Sequence, residues 1–273
     1  MSAVTEQRAM RRGGVRALYA GNARAVVGRG LVATRSSNWV VIASGFFEPV
    51  FYLLSLGVGL GAFIGTVTDA AGREIPYAAF IAPALLAVSA MNGAIYDSTW
   101  NVFFKMNFGK LYEGMLATSL GPLDIALGEI LLALFRGAVY GIGFQIVMQL
   151  MGLNLSWWAL LAVPAVMLIA FGFAAIGMGV TSYFTTFQQM EWIMFVLTPM
   201  FMLSATFFPI TVYPEPVQWL VMALPLWHGV ELVRGLTTGV VGPELLVHVL
   251  YYGVMIAAGL AFTTRRLRAL FLD

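Results

Sequence analysis

The chain has 273 residues, 60% of them hydrophobic and only 10% charged, with a mean hydropathy of +0.86 and a formal net charge of +2. Soluble domains carry about 25% charged residues, so this composition excludes a soluble enzyme and a nucleic-acid binder and marks an integral membrane protein. Cysteine is absent, which removes disulfides, Cys-ligated metals and thiol chemistry.

Residues 1–38 hold seven arginines (Arg8, Arg11, Arg12, Arg16, Arg24, Arg29, Arg35) against one acid, Glu6. Val15, Leu18, Tyr19, Val26 and Val27 recur among them at roughly helical spacing. This pattern predicts a basic amphipathic helix on the cytoplasmic membrane face. The first apolar run begins near Trp39 and is too long for the core of a signal peptide, so no cleavable signal is expected.

Six apolar runs follow, at 39–63, 77–96, 125–150, 157–183, 192–210 and 245–264. Each is near the roughly 20 residues that cross a bilayer. The expected fold is all-α and transmembrane: a tail at 1–38 and a six-span domain at 39–273. Twelve of the fifteen Lys and Arg fall in the tail, between the second and third runs, or at the C-terminus. The positive-inside rule then makes both termini cytoplasmic.

The longest cytoplasmic connection is expected at 97–124. Within it Leu111, Met115 and Leu116 mark one face of a short amphipathic helix, and Gly121-Pro122 stops it and opens the third span. On the opposite side, Tyr213-Pro214-Glu215-Pro216 breaks the chain after the fifth run. The apolar piece 217–226 is too short to span and ends near Pro225, His228, Glu231 and Arg234. This predicts external re-entrant helices, since irregular backbone survives at membrane depth only where protein or water meets it.

Several stretches together resemble one family: Gly45-Phe46-Phe47-Glu48-Pro49-Val50-Phe51-Tyr52-Leu53; Tyr112-Glu113; Pro199-Met200-Phe201-Met202-Leu203-Ser204-Ala205-Thr206-Phe207-Phe208-Pro209; Tyr213-Pro214; and Pro225-Leu226-Trp227-His228-Gly229-Val230-Glu231-Leu232-Val233-Arg234. In this order they look like the ABC-2 type exporter permeases, in particular the nodulation-protein-J-like branch. The resemblance implies a six-span half-transporter that dimerises, with itself or a related permease, and recruits two cytosolic ATPase subunits. It implies a coupling helix after the second span, a chain that dips back between the fifth and sixth, and amphipathic or lipid-linked substrates such as glycolipids, lipo-oligosaccharides or drugs.

The candidate coupling residues are therefore Leu111, Tyr112, Glu113, Met115 and Leu116. Phe47, Glu48 and Phe51 are candidates for the substrate pathway, because an intramembrane acid is costly and usually faces a cavity or a partner. The bland alternative pairs Glu48 with Arg136. Glu129, about one turn into the third span, reads as structural, paired with a tail arginine or a partner. Trp219, Leu220, Trp227, His228, Glu231 and Arg234 are candidates for an external gate, with Glu231 and Arg234 at i,i+3 spacing.

No catalytic residue, metal or cofactor is assigned to this chain. Its one Gly-Lys, Gly109-Lys110, lacks the earlier glycine of a phosphate-cradling loop, so ATP and Mg belong to a partner subunit. Gly57, Gly61 and Gly65 recur every four positions, as close helix packing requires. His228 and His248 stand twenty residues apart with no third ligand, and His228 is expected to bond backbone. A proton-coupled carrier using Glu48, or an intramembrane lipid-modifying enzyme, are the alternatives to an exporter.

Overall fold

The computed structural model describes residues 20–35, 47 and 50–271. The expectations for Glu48, for residues 1–19 and for the start of the first apolar run lie outside these residues. In chain order the helices are α1 (Ala23–Arg35), α2 (Val50–Ile64), α3 (Tyr77–Phe108), α4 (Leu111–Leu116), α5 (Pro122–Leu150), α6 (Trp157–Thr181), α7 (Glu191–Leu203), α8 (Glu215–Ala223), α9 (Pro225–Thr238) and α10 (Glu244–Phe271). A two-stranded hairpin, β1 (Thr66–Thr68) and β2 (Glu74–Pro76), joins α2 to α3 with Thr66 opposite Pro76. It is a small departure from the all-α expectation.

Among the described residues, α3, α5, α6 and α10 are long and apolar enough to cross a membrane. The central one is α3, with most of its apolar window buried. Its face is rich in alanine (Ala79, Ala82, Ala84, Ala87, Ala90, Ala94), and small residues let neighbouring helices come close where no hydrophobic effect draws them together. Glycines do the same elsewhere. A Cβ on Gly259 of α10 would lie 2.9 Å from the Ala175 backbone of α6, and one on Gly57 would meet Leu53 and Ala78. The spaced glycines of α2 thus pack on α3 at Gly57 and Gly61, while Gly65 takes φ +75° and turns the chain into the hairpin.

Two expectations are corrected. The connection placed at 97–124 is helical as far as Phe108, because α3 does not end at Tyr96. The polar run Asp97-Ser98-Thr99-Trp100-Asn101 stays helical because its groups are satisfied locally. Thr99 Oγ1 donates to the Ile95 carbonyl at 2.6 Å, Asn101 to Asp97 at 2.6 Å, and Asp97 pairs with Arg136 of α5 at 3.0 Å. The turns are wound wide over Asp97–Asn101 and Phe104–Phe108, as π-type insertions are.

The fifth run, expected over 192–210, is helical only to Leu203, 13 residues or about 20 Å of rise. Ser204 Oγ turns back onto the Met200 carbonyl at 2.5 Å, and Ala205 takes φ +52°. That left-handed residue ends the helix despite the apolar sequence beyond it. A single turn at Ile210–Val212 follows, then α8 and α9, separated where Leu224 is extended before Pro225.

Candidate coupling and gating sites

Polar side chains gather at the two ends of the bundle. One, the basic end, holds α1, the end of α3, α4 and the start of α5. Asp124 organises it: its carboxylate accepts from Ala20 N and Asn22 N at 2.8 Å and from Gly121 N at 2.9 Å, joining the entry to α1 with the N-terminus of α5. A carboxylate there also meets the positive end of the α5 dipole. Val26 of α1 then lies over Gly128, and Gly30 over Leu132, with no room for a Cβ at either glycine. The amphipathic α1 is therefore docked on α5.

Glu129, buried on α5, is the charge centre of this end. Lys105 Nζ of α3 lies 2.5 Å from one carboxylate oxygen and Arg29 Nη2 of α1 lies 3.5 Å from the other. The expected pairing with a tail arginine is present, and Lys105 adds to it. Arg136, which the bland reading gave to Glu48, pairs with Asp97.

The helix α4 hangs beneath this cluster. Lys110 starts it at φ +44°. Tyr112 and Met115 point into this chain's own core, Leu111 and Leu116 pack half-buried against it, and Glu113 is exposed. The apolar face of the expected coupling helix is thus occupied at home, which leaves Glu113 and Gly114 on the free face. Burial, and then the nearby Glu129 charge, push the Tyr112 phenol far above its usual range, so it stays neutral.

The other end, the hairpin end, is organised by a cation. Arg234 of α9 is 7% exposed. Its Nη1 donates to Glu231 at 2.6 Å, its Nη2 to the Ala205 carbonyl at 2.9 Å, and its Nε to the Phe80 carbonyl at 3.4 Å. The guanidinium also lies 3.9 Å from the Phe80 ring centroid. One side chain thus ties α9 to the turn after α7 and to the start of α3. Nearby, Arg73 donates to the Thr238 carbonyl at 2.8 Å while Asp69 holds it from the hairpin turn. Burial raises the Asp69 carboxyl, but its bonds with Arg73 and Ala71 outweigh that and hold it below the usual range.

His228 and His248 meet, with Nδ1 to Nδ1 at 2.8 Å. The partner of His228 is therefore α10, with a further backbone contact at Met222. A 2.8 Å contact between two ring nitrogens needs one to carry the proton and the other to accept it. Tyr251 stacks on His228 at 3.9 Å, and Trp227 packs on both imidazoles. Among the described residues no three metal-ligating groups converge. Trp219 and Leu220 stand 75% and 57% exposed on α8. Of the pathway candidates, Phe47 and Phe51 are exposed and stack at 6.1 Å.

Sequence reading missed Asp97, Lys105, Asp124 and His248 as members of these clusters. Only Asp124 carried a signal, an acid two residues after the Gly-Pro that opens a helix.

A model of the ABC-2 type transporter family matches residues 23–237, a stretch that includes Glu129 and Arg234. The chain belongs to the ABC-2 type transporter family. Nodulation protein J of Rhizobium leguminosarum bv. viciae is 33% identical over 267 residues, 93% of this chain and 99% of that protein. Nodulation protein J of Sinorhizobium fredii is 36% identical over 217 residues, 77% and 79% of the two chains. The relative from Azorhizobium caulinodans is 25% identical over 85% of this chain and 91% of its own. As an ABC-2 permease the chain is a multi-pass membrane subunit, and family membership implies an ABC ATPase partner.

Proposed function

We propose that this permease exports an amphipathic or lipid-linked molecule, a glycolipid, lipo-oligosaccharide or drug, across the cytoplasmic membrane, driven by two ATPase subunits and paired with a second permease. The observation that carries this reading is the match of residues 23–237 to one transporter family. The likeness to nodulation protein J along nearly the whole chain supports the exporter branch.

In this reading the basic end faces the cytoplasm, where positive charge is retained. The helix α4 meets the ATPase through Glu113 and passes movement to α5 through Tyr112, which sits under Glu129. The runs at 39–63 and 192–210 complete six spans, the second crossing as α7 followed by the irregular backbone after Leu203. The helices α8 and α9 dip in from outside and close the path, with Trp219 and Leu220 facing the second permease. Glu48, with Phe47 and Phe51, lines the path.

The test is co-expression with an ABC ATPase subunit from the same source and reconstitution in vesicles. Export should require ATP and persist when the proton gradient is collapsed. Export that follows the proton gradient without ATP overturns the pump in favour of a carrier. Glu48→Gln should reduce export at normal expression; unchanged export across several substrates removes Glu48 from the path.

A further inference from the structure

The ion pairs of the basic end border a cleft of about 230 Å³ between α1, the end of α3 and α5. Its lining includes Arg29, Lys105 and Arg136 beside Asp97 and Glu129. Among the described residues, that sets three cations against two carboxylates. Leu132, Phe135 and Val139 of α5 add apolar lining beside them. Phe135 and Val139 also belong to an exposed stripe on α5, with Leu131, Ile142 and Ile146, spaced by three or four residues. The cleft therefore adjoins an apolar flank that no helix among the described residues covers.

Depth makes the charges unusual. The 29 residues of α5 rise about 44 Å against a hydrocarbon core of about 30 Å. The stretch from Glu129 to Val139 covers about 15 Å of that rise and starts about 10 Å from its first residue. With α5 centred on the bilayer about 7 Å of its rise lies outside the hydrocarbon at each end, so the cleft opens about 3 Å inside that boundary and runs toward the midplane. Charged groups there are costly and are found where they meet a cavity, water or ligand. Each cation has a carboxylate partner, but Lys105 and Arg29 share Glu129, which leaves an excess of one positive charge that an apolar ligand does not answer and a neutral sugar does not use. Basic pockets between membrane helices take anionic headgroups.

We propose that this cleft holds the phosphate-bearing head of an anionic lipid from the leaflet at the basic end, with its acyl chain along the exposed stripe of α5. Arg29 closes over the head from α1, so the bound lipid bridges α1 to α5. This site goes beyond the transport reading and is tested without it, because the assay measures lipid retention and not export.

The experiment is native mass spectrometry of the full chain in detergent, with phosphatidylglycerol or phosphatidylcholine added at equal concentration. Phosphatidylglycerol should remain bound, one per chain, under activation that strips phosphatidylcholine. Arg29→Gln should lower that retention roughly fivefold, the effect of one basic residue beside an anionic lipid. Glu129 keeps Lys105 in that variant, so the fold is retained. Val139→Trp fills the cleft without touching a charge and should lower retention as well. Equal retention of the two lipids overturns the proposal. So does unchanged retention in either variant, since loss in Arg29→Gln alone places the lipid elsewhere on the surface. Displacement by inorganic phosphate at the same concentration also overturns it, showing a free-anion site in place of a lipid site.

Discussion

The two ends of the bundle use the same chemistry with the roles reversed. At the hairpin end the hub is a cation, Arg234, with one carboxylate and two backbone carbonyls around it. At the basic end the hub is a carboxylate, Glu129, and its cations reach outward: the Lys105 and Arg29 side chains are 28% and 39% exposed. The difference decides what each can tolerate. Removing Arg234 strands acceptors that three separate elements direct at it. Removing the Glu129 charge releases two long side chains that extend to water, as lysine and arginine do at membrane interfaces. The first arrangement holds a shape, and the second is one that a moving partner can loosen.

Substitutions at the two hubs should therefore differ in cost. Arg234→Met keeps bulk and removes the charge. It should destabilise the protein by about 3 kcal/mol, as breaking one side of a buried pair does, and lower the melting temperature measured in detergent. A melting temperature within error of the parent would show that Arg234 is not the hub. Glu129→Gln should cost only about 1 kcal/mol, because its cations are resolvated. An effect as large as that of Arg234→Met would erase the contrast between the ends. His228→Leu removes one side of the imidazole pair but leaves the other on a helix at the edge of the bundle, and should cost about 1 kcal/mol. Protection of Tyr251 and Trp227 from quenchers should fall in that variant; unchanged protection would show that the imidazole contact does not hold α9 to α10.

Glu113→Arg should leave stability unchanged, since the side chain is exposed. It should nonetheless abolish stimulation of the ATPase by substrate. Wild-type stimulation would remove α4 from the coupling.

How much of this was legible depends on whether a feature is local in the chain. The four long spans follow from apolar length. The start of α5 follows from Gly121-Pro122 and Asp124, because proline fits the first turn and an acid fits the dipole. The existence of α4 follows from Leu111, Met115 and Leu116, but which side its apolar face meets does not, and Tyr112 and Met115 turn inward. Asp97 through Asn101 look like a loop because their polarity is visible and their partner, Arg136, is thirty-five residues or more away. The early end of α7 depends on Ala205, an unremarkable residue whose carbonyl Arg234 holds. His228 and His248 show no shared motif; only the packing of α9 on α10 brings them to 2.8 Å. In each case the missing information is a contact between elements distant in sequence, not a propensity.

In the proposed cycle the hairpin end closes a path that the basic end, coupled to ATP, opens. The chain has no cysteine, so a single Trp219→Cys gives one thiol per permease. A thiol cross-linker joining the two permeases at this position should stop ATP-driven export in vesicles, leave nucleotide binding intact, and release export on reversal of the link. Export at the same rate before and after reversal would contradict this cycle and leave α8 and α9 as an anchor.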